Sequence, residues 1–570
     1  MTHDDTEHGG SDAETGGNAT RSNHRRTVLV AAVAVLALGL VIVAAVATAA
    51  PAAGAPTQIN GCTTITQPGE YVLTRDITNS SADSCIEITA SNVLLDGQGY
   101  TVDGVDDNGT GVAAGEYLDH PVRNVTVTDL TVTNWQVGIR YEDAHDGRIA
   151  DTTARSNWRF APGRGGGIFL DVASNNTLSG NTASANEDNG IFLGDATDNN
   201  TVIDNVVTGN DGDGIDTSST ATAGRFFGSA AFESTFENNT VTGNNGSGIS
   251  LGFSENNEIR ANTVTDNGGP GISVSGGAEM FPSEAPIGDG NVVVANLVRS
   301  SGRDGIRVGS SSDNTVSNNT VVANGGNGIA LVDVTASSVT VYDYTRNNTL
   351  TSNLVRGNGE NGIVLDDAND SEVTGNAIEN SGATGVELDR GATANLIADN
   401  ELINTDNVGF ASDFAGNPNA WNRSNSSGPN VAGGPFLGGN YYASPDGTGF
   451  SQTCTDADGD GFCDSANTFG DESNNTDFLP LVCAGSQSPG DVTGDGAEAT
   501  DPDCDGRFEN VNGDEPFDVV DVQALFANRE SAAVQNNPGA FNFNGDTDDQ
   551  DDPIVDVVDV QKLFVEERAS

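Results

Sequence analysis

The chain has 570 residues and carries 23 Lys and Arg against 82 Asp and Glu, which gives a formal net charge of -59. Such acidity excludes nucleic acid and anionic membrane surfaces as partners, because binding to phosphates requires Lys and Arg that displace counterions. Lys562 is the only lysine in the chain.

The first 50 residues have the features of a targeting segment. Residues 1–26 are polar and are expected to stay in the cytoplasm, and residues 27–50 form an uncharged apolar run after Arg25-Arg26. The arginine pair resembles a twin-arginine export signal, with Ala47-Thr48-Ala49 as the cleavage site. Because about 20 apolar residues also span a bilayer, an uncleaved anchor is the alternative. Both versions predict a secreted or cell-surface protein.

Six cysteines remain beyond this segment. An even number in an oxidising compartment favours disulfides over metal thiolates, and the cysteines cluster in twos. The predicted pairs are Cys62 with Cys85, Cys454 with Cys463, and Cys483 with Cys504.

A repeat dominates the middle of the chain, where an Asn is followed nine residues later by a Gly. The pairs are Asn181/Gly190, Asn205/Gly214, Asn239/Gly248, Asn262/Gly271, Asn296/Gly305, Asn319/Gly328, Asn353/Gly362, Asn376/Gly385 and Asn400/Gly409. Successive glycines are 23, 24 or 34 residues apart. A fixed period of this size, with short β runs and Gly/Asn turns, predicts a solenoid.

The predicted solenoid is an all-β, single-stranded parallel β-helix over residues 57–440. An Ile or Val follows nearly every repeat Gly, and these side chains are expected to stack inside at about 4.8 Å per coil. The repeat Asn is expected to tolerate the left-handed conformation and to bond neighbouring coils, while the Gly takes a turn that a β-carbon would hinder.

The sequence resembles the NosD-like group of carbohydrate-binding and sugar-hydrolase right-handed parallel β-helices. The resemblance covers about residues 57–482: Cys62 to Gly104, the NNT and NGI repeats, and a closing GGNYY, DADGDGFCDSANTF and NTDFLPL that marks an end cap at 441–482. It implies polysaccharide binding, hydrolysis, lysis or epimerisation, and for some members copper delivery. Copper fits poorly, because the exported part offers only His120, His145 and Met280 as soft or imidazole ligands.

Three long returns from Gly to the next Asn each add about ten residues at the same corner, after Gly214, Gly271 and Gly328. Loops on one side of a solenoid are typical binding surfaces, and aromatic side chains suit sugar rings. Local packing over the corner is the alternative for these aromatics. The predicted substrate-binding residues are Arg225, Phe226, Phe227, Phe281, Tyr342 and Tyr344.

The residue after each Gly-Ile step is expected to point outwards. In this row and beside it, the candidate catalytic residues are Asp211, Asp213, Asp216 and Arg307. Paired carboxylates supply general acid and base for glycoside cleavage, or hold Ca²⁺ while an arginine abstracts a proton in a lyase. Solvated turn aspartates are the plainer interpretation in so acidic a chain.

The end cap contains a predicted calcium loop. Asp456, Asp458, Asp460, Asp464 and Asn467 occupy positions 1, 3, 5, 9 and 12 of an EF-hand-type spacing, with Gly461 at position 6. Asn at position 12 cannot be a bidentate carboxylate, so modest affinity is expected.

Residues 489–570 contain a near-identical duplication, because Asp518 to Phe526 recurs as Asp556 to Phe564. With Asn-x-Asn-Gly-Asp upstream of each copy, the segment resembles a type I dockerin, which implies a small α-helical domain, Ca²⁺ binding and a cohesin-like partner. A calcium-stabilised module without a partner is the alternative. The implied ligands are Asn510, Asn512, Asp514, Asp518 and Asp521, then Asn542, Asn544, Asp546, Asp556 and Asp559.

The second copy has six additional residues between Asp546 and Asp556. Either its loop bulges, or Asp548, Gln550 and Asp552 replace the first three ligands. The acidic, lysine-poor composition also resembles proteins of salt-loving archaea. The sequence thus predicts an exported solenoid that binds and modifies polysaccharide, or a non-catalytic surface protein that holds it.

Overall fold

The computed structural model describes residues 55–105, 109–116, 120–158, 165–218, 231–276, 288–333, 345–470, 474–482, 489–501, 507–513, 517–544, 547 and 553–569, the last five as backbone. The chain divides into two units, Met1–Gly54 and Ala55–Ser570, and all described residues belong to the second. Among the described residues, no helix has the length and apolar character needed to cross a membrane. The predicted targeting segment lies outside them.

Three parallel sheets of 14 strands each build the solenoid, and each full coil contributes one strand to each sheet. Sheet 1 contains Thr57–Ile59, Gly69–Leu73, Val93–Asp96, Val125–Thr128, Arg148–Ala150, Thr177–Ser179, Thr201–Ile203, Thr235–Glu237, Glu258–Arg260, Val292–Val294, Thr315–Ser317, Thr349–Thr351, Glu372–Thr374 and Leu396–Ala398. Sheet 2 contains Ile77–Ser80, Thr101–Gly104, Thr131–Thr133, Thr153–Arg155, Thr182–Ser184, Val206–Thr208, Thr240–Thr242, Thr263–Thr265, Leu297–Arg299, Thr320–Val322, Leu354–Arg356, Ala377–Glu379, Glu401–Ile403 and Tyr441–Ala443. Sheet 3 contains Thr63–Ile65, Ser84–Ile88, Thr110–Ala114, Val137–Glu142, Gly166–Asp171, Ile191–Leu193, Ile215–Asp216, Ile249–Gly252, Ile272–Ser275, Ile306–Gly309, Ile329–Val332, Ile363–Asp366, Val386–Asp389 and Val408–Phe410.

This architecture is a right-handed parallel β-helix, as predicted. In sheet 3, Ile191 pairs with Ile215, Ile215 with Ile249 and Ile249 with Ile272, and all four side chains are fully buried. Each apolar residue after a repeat Gly therefore covers the one on the coil before it, which no single coil could achieve alone.

Three ladders of asparagine run through the corners of the coils, where the sequence repeat had revealed one. In the ladder of the repeat Asn residues, the side-chain oxygen of Asn262 accepts the backbone N–H of Asn239 at 2.9 Å and its Nδ2 at 3.0 Å. The predicted bonding between coils is therefore present. The left-handed conformation, however, belongs to the preceding residue, such as Asn238 (φ 50°) or Ala261 (φ 54°), because that residue makes the turn and the Asn behind it enters the interior.

The repeat glycines are required by space rather than by backbone conformation. A β-carbon at Gly248 would lie 2.3 Å from Val264 Cγ1 and 2.6 Å from the Gly271 carbonyl oxygen. The neighbouring coil leaves no room for a side chain at this corner.

Both ends of the solenoid carry a disulfide, Cys62–Cys85 at the first coils and Cys454–Cys463 in the end cap. Cys483 and Cys504 lie outside the described residues. The end cap also contains helix α1 (Phe450–Thr453) and the small antiparallel pairs Ser426–Ser427 with Phe436–Leu437 and Asn467–Thr468 with Thr476–Asp477. A parallel pair, Val122–Arg123 with Ala144–His145, lies beside the early coils.

The C-terminal module contains α2 (Val519–Asn528), α3 (Ala532–Gln535), a 3₁₀ turn (Pro538–Ala540) and α4 (Val557–Ala569). Its apolar core is separate from that of the solenoid and includes Leu525 and Leu563, which are fully buried at equivalent positions of α2 and α4. The duplication in the sequence is therefore a duplication in the fold.

Candidate functional site

The outer row of sheet 3 is the row of outward side chains that follow the stacked apolar residues. Strand register places its members on successive coils: Phe169, Phe192, Asp216, Ser250, Ser273, Arg307, Ala330, Val364 and Glu387. The polar part from Asp216 to Arg307 has apolar residues on both sides. The three long returns, residues 219–230, 277–287 and 334–344, follow strands of this sheet and lie outside the described residues.

Asp216 is the most strongly perturbed carboxyl in this row. Its side chain is 5% exposed and accepts hydrogen bonds from Asn189 Nδ2 at 2.9 Å, Ser218 Oγ at 2.8 Å and the Ser218 backbone N–H at 2.9 Å. Burial, followed by the negative charge of Asp213, raises the pKa of Asp216 to about 7, against the opposing effect of these hydrogen bonds. Asp216 therefore keeps its proton to a higher pH than an exposed aspartate does.

Asp213 lies beside Asp216 and shares a neighbour with it. The backbone N–H of Asp213 donates to Asn189 Oδ1 at 2.8 Å, and its own carboxylate accepts from the Ser247 backbone N–H at 2.5 Å. Burial raises the pKa of Asp213, the bonds from Ser247 lower it, and the charge of Asp188 raises it again. Asn189 thus contacts the carboxylate of Asp216 and the backbone of Asp213.

Asp213 also belongs to a fourth, shorter polar ladder, formed by the residue before several of the repeat glycines. Further along the solenoid, Asp304 accepts from the Asn327 N–H at 3.0 Å, and Asn327 accepts from the Asn361 N–H at 3.1 Å. Because Asn fills the same position on other coils, the backbone geometry at Asp213 does not require a charge.

The other two predicted catalytic residues lie apart from this pair. Asp211 is exposed and accepts from Asn245 Nδ2 at 2.9 Å. Arg307 is three coils from Asp216, about 14 Å at the usual strand spacing, and its guanidinium pairs with Asp304 at 3.0 Å. The structure therefore brings Asp213 and Asp216 together but not Asp211 or Arg307.

Asn189 and Ser218 were not among the residues selected from the sequence. A signal for Asn189 was available, since it precedes Gly190 as Asp213 precedes Gly214 and as Asn327 precedes Gly328. Comparison of the residue before each repeat Gly would have revealed the fourth ladder.

The predicted aromatic substrate-binding residues and Arg225 all lie outside the described residues. Another aromatic pair lies within them, where the rings of Phe169 and Phe192 stack at 5.1 Å with an angle of 16° between their planes. Phe169 is 8% and Phe192 2% exposed, so the pair forms an apolar cluster next to Asp216 rather than an open platform.

A second carboxyl pair lies where sheet 3 approaches its last strand. Burial and a hydrogen bond with Asp413 raise the pKa of Asp389 to about 6. Next to it, the Arg390 guanidinium pairs with Asp366 and lies 3.3 Å from Asp367. Sequence reasoning did not select these residues, because they lie at or just beyond the ends of the strands rather than directly after the Gly-Ile step.

In the end cap, carboxylate oxygens of Asp456, Asp458 and Asp460 lie within 4.8 Å of one another. Asp464 is turned towards the backbone of the loop and accepts from the Ala457 N–H at 3.1 Å. Asn467 begins a strand of the antiparallel pair described above. Three of the five predicted ligands are therefore assembled, with the oxygen chemistry that Ca²⁺ prefers.

The two copies of the C-terminal module hold a buried carboxylate in the same way. Asp521, fully buried, accepts from the Asn512 N–H at 3.0 Å and the Asp518 N–H at 2.8 Å. Asp559, also fully buried, accepts from the Asn544 N–H at 3.1 Å and from the Asp556 N–H at 2.7 Å. This correspondence favours the bulged second loop, in which Asn544 takes the part of Asn512.

The first copy also fits a cation. Asn510 is 1% exposed, and its Oδ1 has no hydrogen-bond partner among the described residues. A buried oxygen without a donor costs about 1–3 kcal/mol, and a bound cation would remove that cost. Asp514 and Asp546 lie outside the described residues.

A further acidic loop, Asp491 to Gly496, repeats the geometry of the end-cap loop. Asp491 accepts from the N–H groups of Gly494 at 2.6 Å and Gly496 at 2.7 Å, as Asp456 accepts from Gly459 at 2.7 Å. These bonds lower the pKa of Asp491. The sequence signal was present, since Asp-Val-Thr-Gly-Asp-Gly resembles Asp-Ala-Asp-Gly-Asp-Gly.

Imidazole ligands for copper are poorly placed among the described residues. His145 uses both ring nitrogens, one with Asp143 at 3.1 Å and one accepting the Ser174 N–H at 3.2 Å. His120 is paired with Glu116 at 3.2 Å. Met280 lies outside the described residues. The described donor set is therefore hard and oxygen-rich, and it does not fit copper.

The fold and the outer row of sheet 3 define a parallel β-helix protein with a carboxyl pair on one sheet. The family described as periplasmic copper-binding protein (NosD) matches residues 58–223, 216–280 and 283–447. Since these segments cover more than half of the chain, the protein belongs to the NosD family.

Solved structures with a similar fold include an Azotobacter vinelandii mannuronan C-5 epimerase A-module, at 17% identity and TM-score 0.42, covering 62% of this chain and 91% of that one. A periplasmic alginate epimerase matches at 13% identity and TM-score 0.34, over 60% and 77%. The catalytic domain of an α-1,3-glucanase matches at 13% identity and TM-score 0.39, over 62% of each. No curated protein sequence matches the chain.

Proposed function

We propose that the protein binds an extracellular polysaccharide on the outer row of sheet 3 and modifies it through Asp216 and Asp213. The observation that carries the proposal is the Asp216 carboxyl, which is buried, has a pKa of about 7 and lies beside a second carboxyl. Turn aspartates that serve only solvation are exposed and keep ordinary acidity, so Asp216 is not one of them.

The two carboxyl groups have complementary roles. Asp216 in its neutral form donates a proton to the oxygen of a glycosidic bond, and Asp213 in its charged form takes a proton from water or from a sugar carbon. Asn189 connects the two residues, since it donates to the Asp216 carboxylate and accepts the Asp213 backbone N–H. Hydrolysis, lysis and epimerisation all need such a pair, so the product distinguishes them.

The test measures binding and product formation on a panel of neutral and acidic polysaccharides, in high salt with Ca²⁺. We expect Asp216→Asn to abolish product with little change in binding. Asp204→Asn, which removes an exposed carboxylate at another corner, is the matched control. Product formation by Asp216→Asn at the wild-type rate would exclude Asp216 as a catalytic residue. Polysaccharide binding by the wild-type protein without any product would favour the non-catalytic alternative.

We further propose that the C-terminal module binds Ca²⁺ and docks to a cohesin-like protein. The support is a duplicated apolar surface on α2 and α4. It consists of Val519 (42% exposed), Val520 (46%) and Phe526 (54%), with Val557 (46%), Val558 (44%) and Phe564 (40%) at the equivalent positions. Apolar side chains exposed in duplicate are typical of a docking surface.

Retention of the full-length protein on isolated cell envelopes, with Ca²⁺ or with a chelator, tests the docking. The double variant Phe526→Ser with Phe564→Ser is expected to lose retention. The control is Phe478→Ser, since Phe478 is an exposed aromatic (67%) of the end cap. Equal loss of retention in the double variant and in Phe478→Ser would show that nonspecific hydrophobic contacts retain the protein on the envelopes.

We place the protein outside the cytoplasm, secreted or anchored by residues 27–50. The apolar run after Arg25-Arg26 and the disulfides Cys62–Cys85 and Cys454–Cys463 support this location. Cell fractionation with a thiol-labelling assay tests it, and free thiols in a cytoplasmic fraction would contradict it.

A further inference from the structure

The Asn-x-Ser/Thr sequences of the chain occur at different registers of the coil, and register decides which of them faces solvent. In the Asn-Asn-Thr form, the first Asn lies at an exposed corner, the second lies in a ladder and the Thr begins the next strand. Four copies have this arrangement with an unengaged first side chain, beginning at Asn175, Asn199, Asn318 and Asn347.

The four first asparagines share one geometry. They have left-handed backbones, with φ of 59°, 54°, 54° and 55° in chain order, and exposed side chains. The next residue in each is a ladder Asn that is at most 1% exposed. Hydrogen bonds within the described residues do not include the side chains of these four corner asparagines.

The sequence Asn369-Asp370-Ser371 is shifted by one position on the coil. Here Asp370 has the left-handed backbone (φ 49°), and Ser371 takes the ladder place, 2% exposed, where its Oγ accepts the Asn348 N–H at 3.2 Å. Asn369 is consequently 8% exposed and accepts from the Thr393 N–H at 2.9 Å. The same Asn-x-Ser/Thr motif is thus buried here, because its register on the coil is shifted by one residue.

A third arrangement engages the amide itself. Asn238 is exposed at a corner with φ of 50°, but its Nδ2 donates to Asp204 Oδ1 at 2.5 Å. That hydrogen bond engages Nδ2, which is the atom that would have to react in N-glycosylation.

We propose that Asn175, Asn199, Asn318 and Asn347 are N-glycosylation sites, whereas Asn369 is not and Asn238 is disfavoured. Nδ2 of the corner Asn attacks the anomeric carbon of an oligosaccharide carried on a lipid phosphate. The bond from that carbon to the phosphate oxygen breaks, the lipid phosphate leaves, and Nδ2 loses one proton as the carbon–nitrogen bond forms. The proposal rests on export, since such donors are used outside the cytoplasm.

Spacing adds a constraint at the first two sites. Asn175 and Asn199 lie on successive coils, where the Asn175 N–H donates to the Asp198 carbonyl at 3.0 Å. Coils are about 4.8 Å apart, and a glycan is bulky. One glycan therefore blocks its neighbour, so peptides from this region are expected to carry one glycan and not two.

The test is site-by-site mass spectrometry of the full-length protein purified from the extracytoplasmic fraction of its own cells. Glycan on Asn318 or Asn347, with unmodified Asn369, is the expected result. Glycan on Asn369, or none on the four corner sites in protein recovered from that fraction, would overturn the proposal. Recovery only from the cytoplasm would instead overturn the proposed export, so the two failures are distinguishable.

Two pairs of variants test the geometry independently. Thr320→Ala should remove the glycan from Asn318 while Thr320→Ser retains it, because both changes leave the Asn itself intact. Asp204→Gly, which tolerates the left-handed backbone at that corner (φ 58°), should increase occupancy of Asn238 several-fold. Unchanged occupancy in Asp204→Gly would show that the hydrogen bond does not protect the amide.

Discussion

Replacement of a ladder asparagine should be far more costly than replacement of the asparagine beside it. Asn319 Oδ1 accepts from Asn296 N and from Asn296 Nδ2, both at 3.0 Å, and Asn319 Nδ2 donates to the Val293 carbonyl at 2.9 Å and to Asn353 Oδ1 at 3.0 Å. Asn319→Ala removes all four bonds in a fully packed interior.

The expected cost follows from the groups left without partners. Asn296 Nδ2 keeps a bond to the Ile259 carbonyl at 2.9 Å, and Asn353 Oδ1 keeps the Asn319 N–H at 3.0 Å. The Asn296 backbone N–H and the Val293 carbonyl lose their side-chain partner. At about 1–3 kcal/mol for each buried group, Asn319→Ala should lower the free energy of unfolding by about 2–6 kcal/mol.

Asn318→Ala is the matched control. Asn318 is exposed at a corner where Ala261 and Ala295 occupy the same left-handed position on nearby coils, so the change should cost less than about 1 kcal/mol. Denaturant unfolding of both variants, produced in a host without N-glycosylation, measures the difference. Equal destabilisation by the two changes would refute the structural role assigned to the ladder.

Three further predictions concern stability. Ser301→Asn should stabilise the fold by about 1 kcal/mol. Ser301 occupies a ladder position that Asn324 fills one coil later, and its buried Oγ has no hydrogen-bond partner among the described residues. A lower melting temperature of Ser301→Asn would contradict this stabilisation. Burial raises the pKa of Asp477 to about 6, above its unfolded value near 4. The stability that Asp477 contributes is therefore complete below pH 4, and about 3 kcal/mol of it is lost as pH rises through 6. Asp477→Asn should flatten the pH dependence of the free energy of unfolding, and an unchanged slope would refute the raised pKa of Asp477. Removal of Ca²⁺ by a chelator should lower the melting temperature of the C-terminal module, and Asp521→Ala should abolish that shift; a shift that persists in the variant would exclude Asp521 as part of the site.

The solenoid was predictable because its information is local and repeated. The spacing from Asn181 to Gly190 and the apolar residue that follows recur on each coil, so the inward stack of Ile191, Ile215 and Ile249 needed no knowledge of distant contacts. The equivalence of Asp521 and Asp559 was predictable for the same reason, since the segment from Asp518 to Phe526 recurs 38 residues later.

The candidate site was only partly predictable. Asp216 was selected as an outward residue and Asp213 as its neighbour, but Asn189, which contacts both, lies on the preceding coil. Its position opposite Asp216 depends on strand register between coils whose lengths differ. Arg307 was selected by the same rule as Asp216, but three coils, about 14 Å, separate the two residues because the rule describes a row along the solenoid rather than a point. Asp211 was selected as a neighbour of the row, and its exposed side chain bonds Asn245 instead.

The sequence by itself determined the coil, its period, the residues that face inwards and the segments that carry acidic loops, because each depends on neighbours within one repeat. Tertiary structure alone decided which carboxyl is buried, which asparagines outside the repeat positions form the other two ladders, and which asparagines face solvent. The physical reason is that burial and hydrogen bonding at every one of these positions are set by the coil above and the coil below. Asn318 and Asn319 are adjacent and identical in the sequence, yet the stacking of coils exposes one and buries the other.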